Sequence, residues 1–160
     1  MFVRAFADVP LPFEAVEESL LAGPEVWVPG AAERASATGS ALLAEVGFDV
    51  EDVRIGKSVQ IELGAPSRLG PSTLLPMTWR ATGPRGLFPV LEGDLEVAGL
   101  GAERTQVAVS ARYRPPLGAV GRIADRALLH RIAEATVKDF VDRVALAIQE
   151  RTPAIDASAS

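Results

Sequence analysis

The residues that could do chemistry gather where the last strand-like run gives way to a long terminal segment: Tyr113, Arg122, Asp125, Arg126 and His130. A phenol, a carboxylate and an imidazole can move protons, and a guanidinium is a two-pronged anchor for an anionic oxygen. Their spacing matches no ordered catalytic set. There is no G-x-S-x-G elbow, and no carboxylate pair has a histidine partner. The glycine-rich "GLGAER" lies in a hairpin without the helix that a phosphate-binding loop needs. With one histidine and no cysteine, a multi-histidine or thiolate metal site is excluded, so neither metal nor cofactor is expected.

These residues lie on or next to "YRPPLGAVGRIADRALLHRIAEATVKDFVDRVALAI", residues 113–148. Pro115 and Pro116 end a strand, because proline cannot donate to a ladder, and the pattern predicts a helix from about Leu117 to about Gln149. Its downstream half carries Leu129, Ala133, Thr136, Val137, Phe140, Val144 and Ala147 on one stripe, with Arg131, Glu134, Lys138, Asp139 and Asp142 opposite. Projected upstream, that stripe meets Arg122 and Arg126, with Asp125 at its border. Either the helix kinks or overshoots the core into water, or it roofs a cavity mouth into which the arginines look and where one of them anchors a greasy ligand.

What the helix covers is legible upstream. After a strand over Phe2–Val9 and a helix with Phe13, Val16 and Leu20 on one face, ended by Gly23 and Pro24, a further turn carries Trp27. Strand-like runs follow at "ALLAEVGF", "GKSVQIELG", "STLLPMTWRATG", "FPVLEGDLEVAG" and "RTQVAVSARYR", with Gly, Pro and Ser punctuation at "APSRLGPS", "TGPRGL" and "GLGAE". Alternation sorts an antiparallel meander into two faces. One holds Val59, Ile61, Leu63, Leu75, Met77, Trp79, Leu91, Leu95, Val97, Val107, Val109 and Tyr113; the other holds Gln60, Glu62, Thr78, Arg80, Glu92, Asp94, Glu96, Gln106, Ser110 and Arg112. The acids of the wet face are expected to pair with Arg80 and Arg112 as solvated scaffolding. Met77, Trp79, Leu91, Leu95, Tyr113 and Leu129 are the candidate lining of a pocket on the dry face, beside Arg122, Asp125, Arg126 and His130.

The chain has 160 residues, 48% of them hydrophobic, besides 14 glycines. That length suits one domain, placed at residues 1–150 with a disordered tail at 151–160, and the apolar excess calls for a cavity, a subunit interface or scattered exposure. A net charge of -5 without a basic cluster excludes nucleic acid as a partner. Asp8 and the following prolines interrupt any secretory signal, and no segment approaches a membrane span, so a cytoplasmic location without integral membrane association is expected.

First strand, helical excursion, antiparallel sheet and long C-terminal helix together resemble the helix-grip fold of the SRPBCC superfamily, which includes START domains, birch-pollen-allergen-like proteins and polyketide cyclases. The resemblance runs over residues 2–149. "YRPPLGAVGRIADRALLHRIAEATVKDFVDRVA" is similar to the last strand and helix of uncharacterised bacterial members, and "DVPLPFEAV" to their first strand and helix. It implies an α+β chain in which a curved antiparallel sheet wraps a long C-terminal helix, with a short helical insertion after the first strand. It also implies a cavity for a small hydrophobic ligand such as a lipid, sterol or polyketide. The function expected is binding or carriage of that ligand; the alternatives are a cyclase or aromatase acting on an extended ketide, and a module that uses its apolar excess as a homodimer face.

Overall fold

The computed structural model describes residues 1–29, 43–81, 90–114 and 126–152. Strand β1 (Phe2–Val9) leads into helices α1 (Phe13–Ala22) and α2 (Pro24–Trp27). Strands β2 (Leu43–Val50), β3 (Val53–Leu63), β4 (Ser67–Leu69), β5 (Ser72–Ala81), β6 (Val90–Gly99) and β7 (Thr105–Arg114) follow, and helix α3 (Arg126–Arg151) comes last. All strand pairings are antiparallel, in the order β1-β7-β6-β5-β3-β2, with β4 also on β5. The expected helix start near Leu117 falls outside the described residues, as does most of the 151–160 tail; α3 continues to Arg151, beyond the expected Gln149.

The period-two alternation decides which side chains enter the core. In β1 the inward positions are Val3, Ala5, Ala7 and Val9, so the larger Phe2 and Phe6 face out. The dry face holds as read: its residues from Val59 to Tyr113 are buried, apart from a half-buried Leu63. On the wet face Arg112 lies across from Glu92 in register, but the ion pair that forms joins Glu92 to Arg114 at 2.6 Å.

Strand β4 corrects the reading of "APSRLGPS" as punctuation only. Between β3 and β4 the edge of β5 is interrupted opposite Pro76, which has no N–H to offer; Gly64 donates to the Pro76 carbonyl at 2.8 Å, and a Cβ at Gly64 would touch the proline ring at 2.9 Å. Gly70, at φ 61°, makes the turn back into β5.

Helix α1 ends for a reason written in its sequence. The residue four beyond Leu20 is Pro24, which has no N–H, so the Leu20 carbonyl lacks its helical donor; the indole nitrogen of Trp27 supplies one at 3.1 Å.

Helix α3 lies across the concave face and turns Ile132, Ala133, Thr136, Val137, Phe140, Val141, Val144, Ala145 and Ile148 into the core. Buried Thr136 satisfies its hydroxyl on the Ile132 carbonyl one turn back. The helix is fastened to both flanks of the sheet. Lys138 donates to the Phe6 carbonyl of β1 at 3.1 Å, and Arg143 to the Glu45 carbonyl of β2 at 3.3 Å. Arg54 of β3 makes two 2.7 Å bonds to Asp139, which hold its guanidinium more firmly charged than usual. Among the described residues the α3 backbone comes closest to β1, β2 and β7. The middle of the sheet reaches the helix through side chains such as Trp79, which meets Phe140.

Candidate functional site

Register places Trp79 of β5, Leu91 of β6 and Tyr113 of β7 in one row across the concave face. One row further in come Met77, Gly93 and Ala111, where the small residues thin the wall, and then Leu75, Leu95 and Val109. Met77, Trp79, Leu91, Leu95 and Tyr113 are all withdrawn from water. Two polar groups stand in the first row.

The first is the Trp79 indole. Its ring meets Phe140 of α3 edge to face, centroids 5.1 Å apart, so it fills the space between sheet and helix. Its Nε1–H is buried and has no hydrogen-bond partner among the described residues. An unsatisfied buried donor costs about 1–3 kcal/mol, and among the described residues this is the buried side-chain atom that asks for an acceptor.

The second is the Tyr113 hydroxyl. It lies 2.9 Å from His130 Nδ1 and 3.0 Å from Met1 Sδ, and His130 Nε2 lies 3.1 Å from Glu134 Oε1 one turn along α3. Burial, and secondarily the charge of Glu134, push the Tyr113 phenol up from its ordinary value, so it stays protonated at neutral pH. Because Nε2 faces a carboxylate it carries the hydrogen, and Nδ1 of a neutral imidazole is then bare and accepts from Tyr113. The result is a hydrogen-bonded chain from a buried phenol to a carboxylate whose side chain is 55% exposed.

Of the residues expected at the site, Met77, Trp79, Leu91, Leu95, Tyr113, Leu129 and His130 are brought to the concave face or its rim. Leu129 is buried beneath the first turn of α3, and His130 is half-buried. Arg126 is exposed at the first residue of the helix. Arg122 and Asp125 lie outside the described residues. Glu134, expected only on the solvent side of the helix, was missed as a partner of His130; the spacing of four was its one signal in the sequence. Among the described residues no cluster of three or more metal-ligating side chains occurs, and no helix is long and apolar enough to cross a membrane. A surface cleft of about 340 Å³ opens between α1, α2 and the last turn of α3, at the opposite end of the helix from His130, beside a 2.9 Å contact of the Ser19 and Thr152 hydroxyls.

Solved structures share this architecture over most of the chain. A conserved protein from Geobacillus kaustophilus superposes with a TM-score of 0.60 at 17% identity, covering 92% of this chain and 94% of its own. An aromatase/cyclase from a Streptomyces species gives 0.56 at 16%, covering 96% of both chains. The chain has the helix-grip fold. A Thermus thermophilus protein also matches, at 0.54 and 16%, over 94% of this chain and 98% of its own. No family model matches the sequence, and no curated protein matches it either. The SRPBCC resemblance read from the sequence thus holds for the helix-grip fold across nearly the whole chain.

Proposed function

We propose that this protein binds a small, largely hydrophobic molecule on the concave face of the sheet, beneath α3, with an acceptor oxygen directed at Trp79 Nε1. The observation that carries the reading is that unpartnered indole N–H, buried among apolar side chains where sheet meets helix. The way the helix is held supports it. Polar contacts at its flanks fix α3 to the rims, so the side chains at the centre can part around a guest without releasing the helix. Met77, unbranched and adaptable, stands in the row next to Trp79 and is well able to make room. Since the lining residues already exclude water, the guest is compact, and most of its affinity comes from apolar contact, with one or two polar groups setting its orientation.

Native mass spectrometry of freshly purified protein, compared with the same sample denatured, tests this. A discrete excess mass that disappears on denaturation is the expected result. A clean apo mass, together with no change in tryptophan fluorescence across a panel of small aromatic and aliphatic carbonyl compounds, would overturn it.

A further inference from the structure

Resting on the binding reading above, we propose that Tyr113, His130 and Glu134 form an acid–base device for a weakly acidic hydroxyl compound, a phenol or an enol, whose oxygen takes the place that Met1 Sδ holds beside the Tyr113 hydroxyl. The geometry supplies each part. The Tyr113 oxygen has two neighbours, His130 Nδ1 and Met1 Sδ. A thioether sulfur is a weak acceptor and has no hydrogen to give, and Met1 is half exposed, so a hydroxyl group, which can donate to the Tyr113 oxygen, displaces it.

The proton balance follows from the tautomer. The Tyr113 hydroxyl has one hydrogen for two acceptors, Nδ1 and the Met1 sulfur; once a guest hydroxyl replaces the sulfur, Tyr113 donates to Nδ1 and offers a lone pair to the guest. A hydroxyl compound seated there donates to the Tyr113 oxygen. Its O–H bond breaks as a new Tyr113 O–H forms, while the original Tyr113 proton moves to Nδ1. The products are the guest's oxyanion, a phenol that now donates to it, and an imidazolium whose Nε2–H points at Glu134. No proton is lost and none is added, and the only charges created are an anion beside the phenol and a cation beside a carboxylate. Tyr113 is the group that touches the guest; His130 and Glu134 are positioning residues that act through it.

The other groups around the chain do not break the scheme. Arg126 stands one turn before His130 on α3, a cation that favours an anionic guest. Arg114 of β7 is engaged by Glu92. The side chains of His130 and Glu134 are 38% and 55% exposed, so the far end of the chain equilibrates with water.

The probe is meta-nitrophenol, a weaker acid than the para isomer, whose oxyanion has a visible absorption band of its own, added at neutral pH, where the free compound is protonated. With the wild-type protein the bound probe is expected to show the oxyanion band. In Tyr113→Phe, and in His130→Asn, which still accepts from Tyr113 but takes up no proton, the oxyanion fraction of the bound probe falls about tenfold or more, equivalent to one pKa unit. Glu134→Gln gives an intermediate fraction. Far-UV circular dichroism of each variant checks that it is folded. Meta-nitroanisole, which has no proton to give, reports on the site itself through quenching of tryptophan fluorescence in the wild type. If the anisole binds while the bound phenol stays neutral, or if His130→Asn keeps the full oxyanion band, the acid–base device is overturned and the binding reading stands. If neither compound binds, both fall.

Discussion

The two tryptophans offer a controlled comparison. Both are fully buried, Trp27 at 0% and Trp79 at 1% exposure, so the packing lost on shortening indole to phenyl is similar at the two sites. Truncation of such a side chain to alanine costs roughly 3–5 kcal/mol; phenylalanine keeps most of that contact, and the remainder largely cancels in the difference. The polar atoms do not cancel. Trp27→Phe breaks the 3.1 Å bond to Leu20 and leaves a carbonyl that Pro24 cannot serve, a loss of about 0.5–1.5 kcal/mol or more. Trp79→Phe removes a buried donor that has no partner among the described residues, which returns about 1–3 kcal/mol. Trp79→Phe is therefore expected to be the more stable variant by about 2–4 kcal/mol. Urea unfolding followed by far-UV circular dichroism measures this, with equal m-values confirming that only stability has changed. A gap under about 1 kcal/mol would mean that the Trp79 N–H is already satisfied, and the donor on which the ligand reading rests would be gone.

Two further outcomes follow from single positions. Tyr113 is the only tyrosine, so an ultraviolet absorbance titration reads it alone, and its midpoint is expected above the ordinary phenol value. With the folded value raised, the folded state holds more protons than the unfolded one above about pH 10; stability is complete below that pH and falls as pH rises through the folded value, a slope that Tyr113→Phe removes. A Cβ at Gly93 would run into the Ser110 carbonyl and come within 2.6 Å of the Ala111 Cα, both backbone, so Gly93→Ala is expected to cost about 2–3 kcal/mol. In a thermal melt that is a fall in Tm of about 5–10 °C, and an unchanged Tm would contradict the close approach of β6 and β7.

The strands were legible because a sheet with one wet face prints its period of two directly into the sequence. Met77, Trp79, Leu91 and Tyr113 could be assigned to the dry face from parity alone. β4 was not legible, since Ser67–Leu69 is exposed throughout and carries no alternation; it exists because Gly70 turns the chain back along an edge that Pro76 leaves unserved. The pairing of Glu92 with Arg114 rather than Arg112 was also hidden, because register fixes which residues face each other while long side chains choose their partner diagonally.

The chemistry of the site lay deeper still. His130 and Glu134 stand four apart, but so do Lys138 and Asp142, which form an ordinary surface pair at 2.6 Å on the same helix. Helical spacing therefore does not separate a relay from a solvated ion pair. The difference is made by Tyr113, which arrives from a strand and buries its hydroxyl against the inner nitrogen of the same imidazole. That contact depends on where α3 crosses the sheet, and besides the buried side chains Lys138, Asp139 and Arg143 hold the helix to the flanks. Charged residues of the helix thus help to fix the surroundings of two polar atoms on the sheet beneath it, the phenol of Tyr113 and the indole of Trp79. A substitution that loosens either flank should disturb the Tyr113–His130 contact before it disturbs the core, because the packed side chains can follow a small shift of the helix, whereas a hydrogen bond of 2.9 Å weakens steeply with distance and angle.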